Sequence, residues 1–437
     1  MDFFVLGLFS SCIIICLSLG YSILYALVVG LAIFITYGLY KGFPLSDLLK
    51  LCLDGVKTTR NILITFFLIG LLTAFWRASG TVAVIVNYAT SFVDPSWFIL
   101  AAFLLNSLVS VLIGTSFGTV ATVGVICITM GNAMHLPTII VAGAIISGIY
   151  VGDRCSPVST SALLVSELTQ TNIIDNIRNM VKTAAIPFGI CCAFYLALGL
   201  FLPYEVVSMD LTSLLEKEFF LSYYALIPAI LVVLLSFWRV PVKTTLSVSI
   251  VSAMIVSIFL QNVSLENVLN IAIYGFFAKD SEVARMLNGG GALGMAPMAA
   301  IIMISSCYAG IFKATGLLDR VKAKISSIAE TYTPYGAVLF SSIIAGAIAC
   351  NQTLTIMLTY NLCKDLGLDK SELAVNLENT AVIVAPMFPW CLAVAMPLAT
   401  LGAADASILF AAFLYVVPIW RLGVALFNKG AFHGNLS

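Results

Sequence analysis

Apolar residues gather in long blocks with few charges inside them, near 3–19, 21–39, 61–76, 97–113, 119–131, 137–151 and 182–202. More follow near 221–238, 245–260, 295–312, 335–349, 353–363, 372–385, 387–401 and 405–427. Many approach the ~20 residues a helix needs to cross hydrocarbon, and the shorter ones suit tilted spans, half-helices or re-entrant segments. Barrel strands would alternate lumen-facing polar residues with lipid-facing apolar ones, and these blocks do not. The pattern predicts an all-α integral membrane protein with about 10–13 transmembrane helices, some of them broken at mid-membrane.

Polar interruptions of these blocks recur at a fixed spacing. Gly114-Thr115-Ser116-Phe117-Gly118-Thr119 is answered by Cys350-Asn351-Gln352-Thr353-Leu354-Thr355, at 350 − 114 = 236. The same 236 carries Ala74-Phe75-Trp76-Arg77-Ala78-Ser79-Gly80 onto Gly310-Ile311-Phe312-Lys313-Ala314-Thr315-Gly316. Further upstream, Pro44-Leu45-Ser46-Asp47-Leu48 matches Ser264-Leu265-Glu266-Asn267-Val268 at a separation of 220, with an insertion near 280–288 absorbing the difference. Two copies of one unit result: membrane repeat 1 over 1–203, a polar linker at 204–218, membrane repeat 2 over 219–427, and a short C-terminal tail at 428–437.

Lysine and arginine orient the copies. Lys41, Lys50, Lys57 and Arg60 fall in one connection, which the positive-inside rule assigns to the cytoplasm together with the N-terminus. The connection after the first Ala74–Gly80 motif holds only Arg77, whereas its counterpart holds Lys313, Arg320, Lys322 and Lys324. Corresponding loops thus prefer opposite sides, the charge signature of inverted-topology repeats.

Composition agrees with a bilayer: 61% of residues are hydrophobic, 10% are charged, and mean hydropathy is +1.08. The 21 basic and 21 acidic residues cancel, so no overall field draws in nucleic acid. The N-terminus carries no basic residue before its first apolar block, which speaks against a cleaved signal peptide. The 11 cysteines form no Cys-x-x-Cys pair, and neither a disulfide framework nor a resident metal site is expected. His135 and His433 sit at segment ends as interfacial side chains. Gly289-Gly290-Gly291-Ala292-Leu293-Gly294 satisfies a dinucleotide-binding pattern on paper, but it follows no strand and reads as a hinge or a close helix contact. With no Walker A or metalloprotease motif, the chain reads as a transporter without a cofactor, not an enzyme.

Polar groups in hydrocarbon are costly unless they line a pathway, so paired breaks in corresponding places of two halves point to a transporter's binding site. The first break supplies Thr115 and Ser116; the second supplies Asn351, Gln352 and Thr353. Near each lies a carboxylate ahead of a proline: Asp153 before Pro157, with Ser156, Ser159 and Thr160, and Glu378 before Pro386, beside Asn379. Each proline removes a backbone donor and frees a carbonyl that a cation can take. If the stretch stays helical, Asp153, Ser156 and Thr160 share one face. With Ser371 as a helix cap, Glu378 lies seven residues in, about 10 Å deep at 1.5 Å per residue. Asp153 and Glu378 are therefore the candidate titrating and Na+-binding groups. The competing structural readings pair Asp153 with Arg154 or Arg178, make Glu378 an interface cap, and make Thr115, Ser116, Asn351 and Gln352 packing glue beside Gly114-x-x-x-Gly118 and Gly148-x-x-x-Gly152. Glu167, Asp175 and Arg178 read as a wet loop.

The run from Gly114 to Gly124, the stretch Ala142 to Gly148 leading into Gly152-Asp153-Arg154-Cys155-Ser156-Pro157, and Leu377-Glu378-Asn379 with Pro386-Met387-Phe388-Pro389-Trp390 resemble the NhaC-type sodium/proton antiporter family, over most of the chain and in order. The resemblance implies a secondary antiporter of the bacterial inner membrane, in a larger group whose relatives exchange organic anions or amino acids. Two positions depart from its pattern. Thr160 stands where the family's Ser-Pro-Leu-Ser-Asp-Thr-Thr has aspartate, and Asn379 stands where Leu-Glu-Asp has aspartate. With two fewer acids, either fewer ions move per cycle or an anionic or zwitterionic solute supplies the missing charge. Two readings follow: exchange of Na+ for H+ at Asp153 and Glu378 by alternating access, or Na+- or H+-coupled transport of a small organic acid or amino acid on the same fold. Partners are then the lipid bilayer, a monovalent cation or small organic solute, and a second copy in a homodimer.

Overall fold

A computed structural model of the chain describes residues 2–19, 21–90, 94–157, 159–202, 211–238, 240–316, 333–349 and 351–434. Regular structure among them is all helical; no strand forms, and Phe276 with Gly289 makes one isolated pairing. In chain order the first half gives α1 Asp2–Ser18, α2 Ile23–Tyr40, α3 Leu45–Thr58, α4 Arg60–Ala78, α5 Thr81–Thr90, α6 Pro95–Ile113, α7 Ser116–Thr119, α8 Val125–Ala133, α9 Thr138–Cys155, α10 Thr160–Thr169 and α11 Ile173–Phe201. The second gives α12 Leu211–Glu216, α13 Ile227–Phe237, α14 Val242–Phe259, α15 Leu265–Tyr274, α16 Ser281–Leu287, α17 Ala296–Thr315, α18 Pro334–Ile348, α19 Gln352–Cys363, α20 Lys370–Asn379, α21 Ala381–Val384, α22 Leu392–Leu401 and α23 Ala412–Gly434.

Among the described residues, five helical stretches are long and apolar enough to cross a membrane: Pro95–Ile113, Ser116–Ala133, Thr138–Thr169, Ile173–Phe201 and Leu293–Phe312. Two bent pairs bring the number to seven, Leu63–Ala78 with Thr81–Tyr88 at 63° and Lys370–Met387 with Leu392–Leu401 at 52°. Shorter apolar helices, Leu24–Tyr40, Tyr223–Val232, Lys243–Phe259, Pro334–Ile348 and Ala412–Phe427, accompany them. The outward surface is oily: Leu104, Leu105, Leu108 and Leu112 line the free face of α6 at helical spacing. In water such a stripe would be an aggregation patch; in lipid it is the expected exterior.

The spacing seen in the sequence recurs in the backbone. Gly80 and Gly316 both end helices with left-handed φ, 75° and 62°. Further along, Thr115 caps α7 by accepting from the Gly118 N–H at 3.1 Å, and Asn351 caps α19 by accepting from the Leu354 N–H at 2.8 Å. Each residue of this second pair of caps is 236 positions from its counterpart. The basic residues Arg320, Lys322 and Lys324 used for orientation lie outside the described residues, as does Cys350 at the head of the second break.

Close backbone contacts set the geometry around the breaks. α9 lies against α6 with Gly148 facing the Phe103 carbonyl and Gly152 facing Ser110, which fits the small-residue spacing. Gly289, Gly290 and Gly291 all have positive φ, and a Cβ on Gly290 would lie 2.5 Å from the Ala74 nitrogen. The Gly291 N–H donates to the Gly70 carbonyl at 2.8 Å. This glycine run is a turn pressed onto α4.

Candidate functional site

α9 is buried from Ile140 to its end and stops where Ser156 turns extended, φ −91° and ψ 137°, just before Pro157. The proline ring disfavours helix at the preceding residue and has no N–H to give. Asp153 therefore sits in the last buried turn; the chain leaves the helix after Cys155 and becomes helical again at Thr160, the start of α10. The helix does not run on to Thr160, so Asp153, Ser156 and Thr160 do not share a face. Instead Ser161 donates to the Asp153 carbonyl at 2.7 Å, and Ser159 donates to the same oxygen. Ser156 donates to the Val111 carbonyl at 2.7 Å.

Both polar breaks arrive at this point. Gln352, the first residue of α19, donates through Nε2 to Asp153 Oδ2 at 2.8 Å and to the Val382 carbonyl at 3.0 Å. From the other side the backbone N–H of Ser116, the first residue of α7, faces the same carboxyl. Two helix N-termini, those of α7 and α19, thus converge on one acid, and their dipoles favour negative charge there. Tyr150, one turn earlier on α9, donates to the Ala393 carbonyl beside the bend that starts α22. Among the described residues no salt bridge joins Asp153 to a basic group: Arg178 pairs with Asp175 at 3.8 Å on an exposed face, and Arg154 points elsewhere. Thr115 and Asn351 act as helix caps at the edge of the cluster, half-buried, while Thr160 and Thr353 are exposed.

Glu378 lies in the last turn of α20. That helix is capped by Asp369, which accepts from the Ser371 N–H at 3.0 Å, so the cap lies two residues earlier than Ser371, itself the second residue of the helix. Glu378 is nine residues beyond the cap, roughly 13 Å along the helix. It is completely buried, and neither carboxyl oxygen has a hydrogen-bond partner among the described residues. Next to it, Asn379 Oδ1 accepts from Arg154 Nη2 at 2.6 Å. Arg154, also fully buried, gives its remaining bonds to the Met180 carbonyl at 3.1 Å, the Thr183 hydroxyl at 2.8 Å and the Cys155 sulfur at 3.2 Å. Among the described residues no group of three or more His, Cys, Asp and Glu forms, so a cation at Asp153 would draw on that carboxylate and on neutral oxygens.

The sequence model of the Na+/H+ antiporter family matches residues 2–166 and 148–429 of this chain. The chain belongs to that family.

Curated relatives span nearly the same length. The Malate-2H(+)/Na(+)-lactate antiporter of Bacillus subtilis is 28% identical over 406 residues, 88% of this chain and 85% of the relative. The Na(+)/H(+) antiporter NhaC of Alkalihalophilus pseudofirmus is 28% identical over 410 residues, 91% of this chain and 88% of the relative. The Arginine/ornithine antiporter ArcD of Halobacterium salinarum is 27% identical over 366 residues, 80% of this chain and 75% of the relative. This Na+/H+ antiporter family member is accordingly a multi-pass membrane transporter and not an enzyme.

The two departures from the family pattern have different surroundings in this member. Thr160 opens α10 with its side chain exposed, away from the Asp153 carboxyl, whereas Asn379 holds the buried Arg154. The sequence marked Arg154 only as a neighbour of Asp153. Its contact with Asn379, 225 residues away, has no local signal, and neither has the reach of Ser161 to the Asp153 carbonyl.

Proposed function

We propose that the chain exchanges Na+, or a similar monovalent cation, for protons, with Asp153 as the shared site and Glu378 as a second titrating group. The observation that carries the reading is a fully enclosed Asp153 carboxyl met by Gln352 from the second repeat and by the α7 N-terminus from the first. A buried carboxylate without a counter-ion is costly, so the occupied forms are those holding either a proton or a cation. One group that takes both in turn excludes the leak in which the carrier crosses empty. Rocking of one bundle against the other, with the two repeats in inverted orientation, would open the site to each side alternately. The setting is a bacterial inner membrane with the N-terminus in the cytoplasm.

The test uses purified protein in liposomes carrying a trapped pH dye. An imposed Na+ gradient is expected to drive proton movement, and Asp153→Asn to bring the signal down to that of protein-free liposomes. Equal exchange by wild type and Asp153→Asn sinks the assignment. The family spread, which includes relatives named for lactate, malate and arginine exchange, keeps an organic solute as the second reading; the structure offers a separate group of residues for it.

A further inference from the structure

Beyond the Asp153 carboxyl, the same region holds an excess of buried hydrogen-bond donors with nothing to bond. The Nε of Arg154, the Nε of Arg421, and the amide nitrogens of Asn376 and Asn379 are all buried without an acceptor. Native interiors pair nearly all such groups, so four unmet donors in one region need an explanation. Asn376 and Asn379 lie three residues apart on one face of α20. Arg154 reaches Asn379 from α9. The Tyr335 hydroxyl, from α18, joins the end of α20 to α23: it lies 3.5 Å from the Asn379 carbonyl and 3.3 Å from the Pro418 carbonyl, one turn before Arg421. Both guanidinium groups are within electrostatic reach of that hydroxyl. Helices α11, α18 and α20 pack on α23, which closes the group of elements.

The charge count points the same way. Neither Arg154 nor Arg421 takes part in a salt bridge among the described residues. Glu378 is the acid within electrostatic reach of Arg154, and it forms no hydrogen bond to it. Arg154 is fully buried and Arg421 half-buried with its Nε enclosed, so among the described residues two guanidinium groups face the one carboxylate of Glu378, and a surplus of positive charge held partly out of water is expensive. Asn379 contributes a neutral carbonyl oxygen to Arg154, so it orients the guanidinium and leaves its charge uncancelled. The planar fork of arginine, flanked by amide donors, is the donor set that a carboxylate accepts.

We infer that Arg154, Arg421, Asn376 and Asn379 form a binding site for the carboxylate of a small organic solute, separate from the cation site at Asp153. Glu378 stands between the two, so the ion it holds would be felt at both, and solute and cation would load together. The site rests on residues other than the Asp153 carboxyl and can fail while the cation assignment stands.

Thermal unfolding of the purified full-length protein in sodium-free buffer tests it, with L-lactate and L-malate as probes and chloride and inorganic phosphate as control arms. The melting temperature is expected to rise with the logarithm of L-lactate or L-malate concentration once the site fills. Arg421→Gln should weaken that response at least about tenfold in concentration, Arg421→Lys should weaken it less, and Asp153→Asn should leave it in place. Asn376→Leu guards against misfolding as an explanation. It removes a donor that has no partner, so the ligand-free protein should melt no lower than wild type, yet the response to carboxylate should fall. No shift with either carboxylate in a cooperatively melting wild type overturns the proposal, as does an equal shift in Arg421→Gln, or a response to phosphate or chloride alone.

Discussion

Gly152 precedes Asp153 at the place where α9 lies hardest against α6, and replacing it with alanine is a direct test of how the site is held. A Cβ there would lie 2.0 Å from the Ser110 carbonyl carbon, 2.3 Å from its oxygen and 2.3 Å from the Val111 nitrogen. All three are backbone atoms, so no side chain can rotate away. Ordinary contact begins near 3.4 Å, and 3.4 − 2.0 leaves the helices about 1.4 Å to part. Overpacking of this kind costs about 1–3 kcal/mol. The parting also strains two bonds across the same seam, Ser110 Oγ to the Ile149 carbonyl at 2.5 Å and Ser156 Oγ to the Val111 carbonyl at 2.7 Å, each worth about 1 kcal/mol. The sum is roughly 3–5 kcal/mol. Displacing Asp153 from the Gln352 amide by about 1 Å should also slow transport by up to ~10²-fold, by analogy with misplaced catalytic groups. Gly189→Ala is the control: nothing lies within 4 Å of its Cβ, and a helix interior gains about 0.5–1 kcal/mol from alanine. Melting curves in detergent and Na+-driven proton flux in liposomes read the two effects. A Gly152→Ala protein that melts like wild type and transports at full rate refutes the reasoning.

Glu378→Met removes a buried carboxyl whose oxygens have no hydrogen-bond partner among the described residues and is expected to abolish coupled exchange in a protein that still melts cooperatively; full exchange by the variant would mean that Glu378 does not titrate in the cycle. Trp76→Phe deletes the indole N–H that donates to Ser249 Oγ at 2.9 Å between α4 and α14, and should cost about 1 kcal/mol in thermal stability with transport unchanged. Asp280, the cap of α16, accepts from the Glu282 and Val283 N–H groups, and these bonds hold its carboxyl below the usual range. A depressed folded value gives stability present at neutral pH and lost as pH falls through that value. The protection of the Val283 amide, its exchange measured against the intrinsic rate at each pH, should therefore fall below about pH 4 in wild type, whereas Asp280→Asn, which keeps an acceptor oxygen, should remove this acid dependence.

Local chemistry in the sequence carried much of the site. The caps at Thr115 and Asn351 are written as polar residues at the start of apolar blocks, and both form where the sequence breaks them. Pro157 fixed the end of α9 and so the depth of Asp153. The cap of α20 lies two residues before the position expected from the sequence, because Asp369 and Ser371 are both good caps and spacing alone does not choose between them.

By itself, then, the sequence determined the solvent, the helices, where they break and which two acids lie inside. In hydrocarbon every backbone group must be met within its own segment, so polarity and proline act locally and can be read residue by residue. Partnership was decided only by the tertiary structure. Gln352 meets Asp153 across 199 residues, and Arg154 meets Asn379 across 225. Whether Arg154 would neutralise the acid beside it or turn away toward α20 depended on how α9, α11 and α20 pack. Adjacent residues on a helix point in different directions, and only the packing says what each one faces.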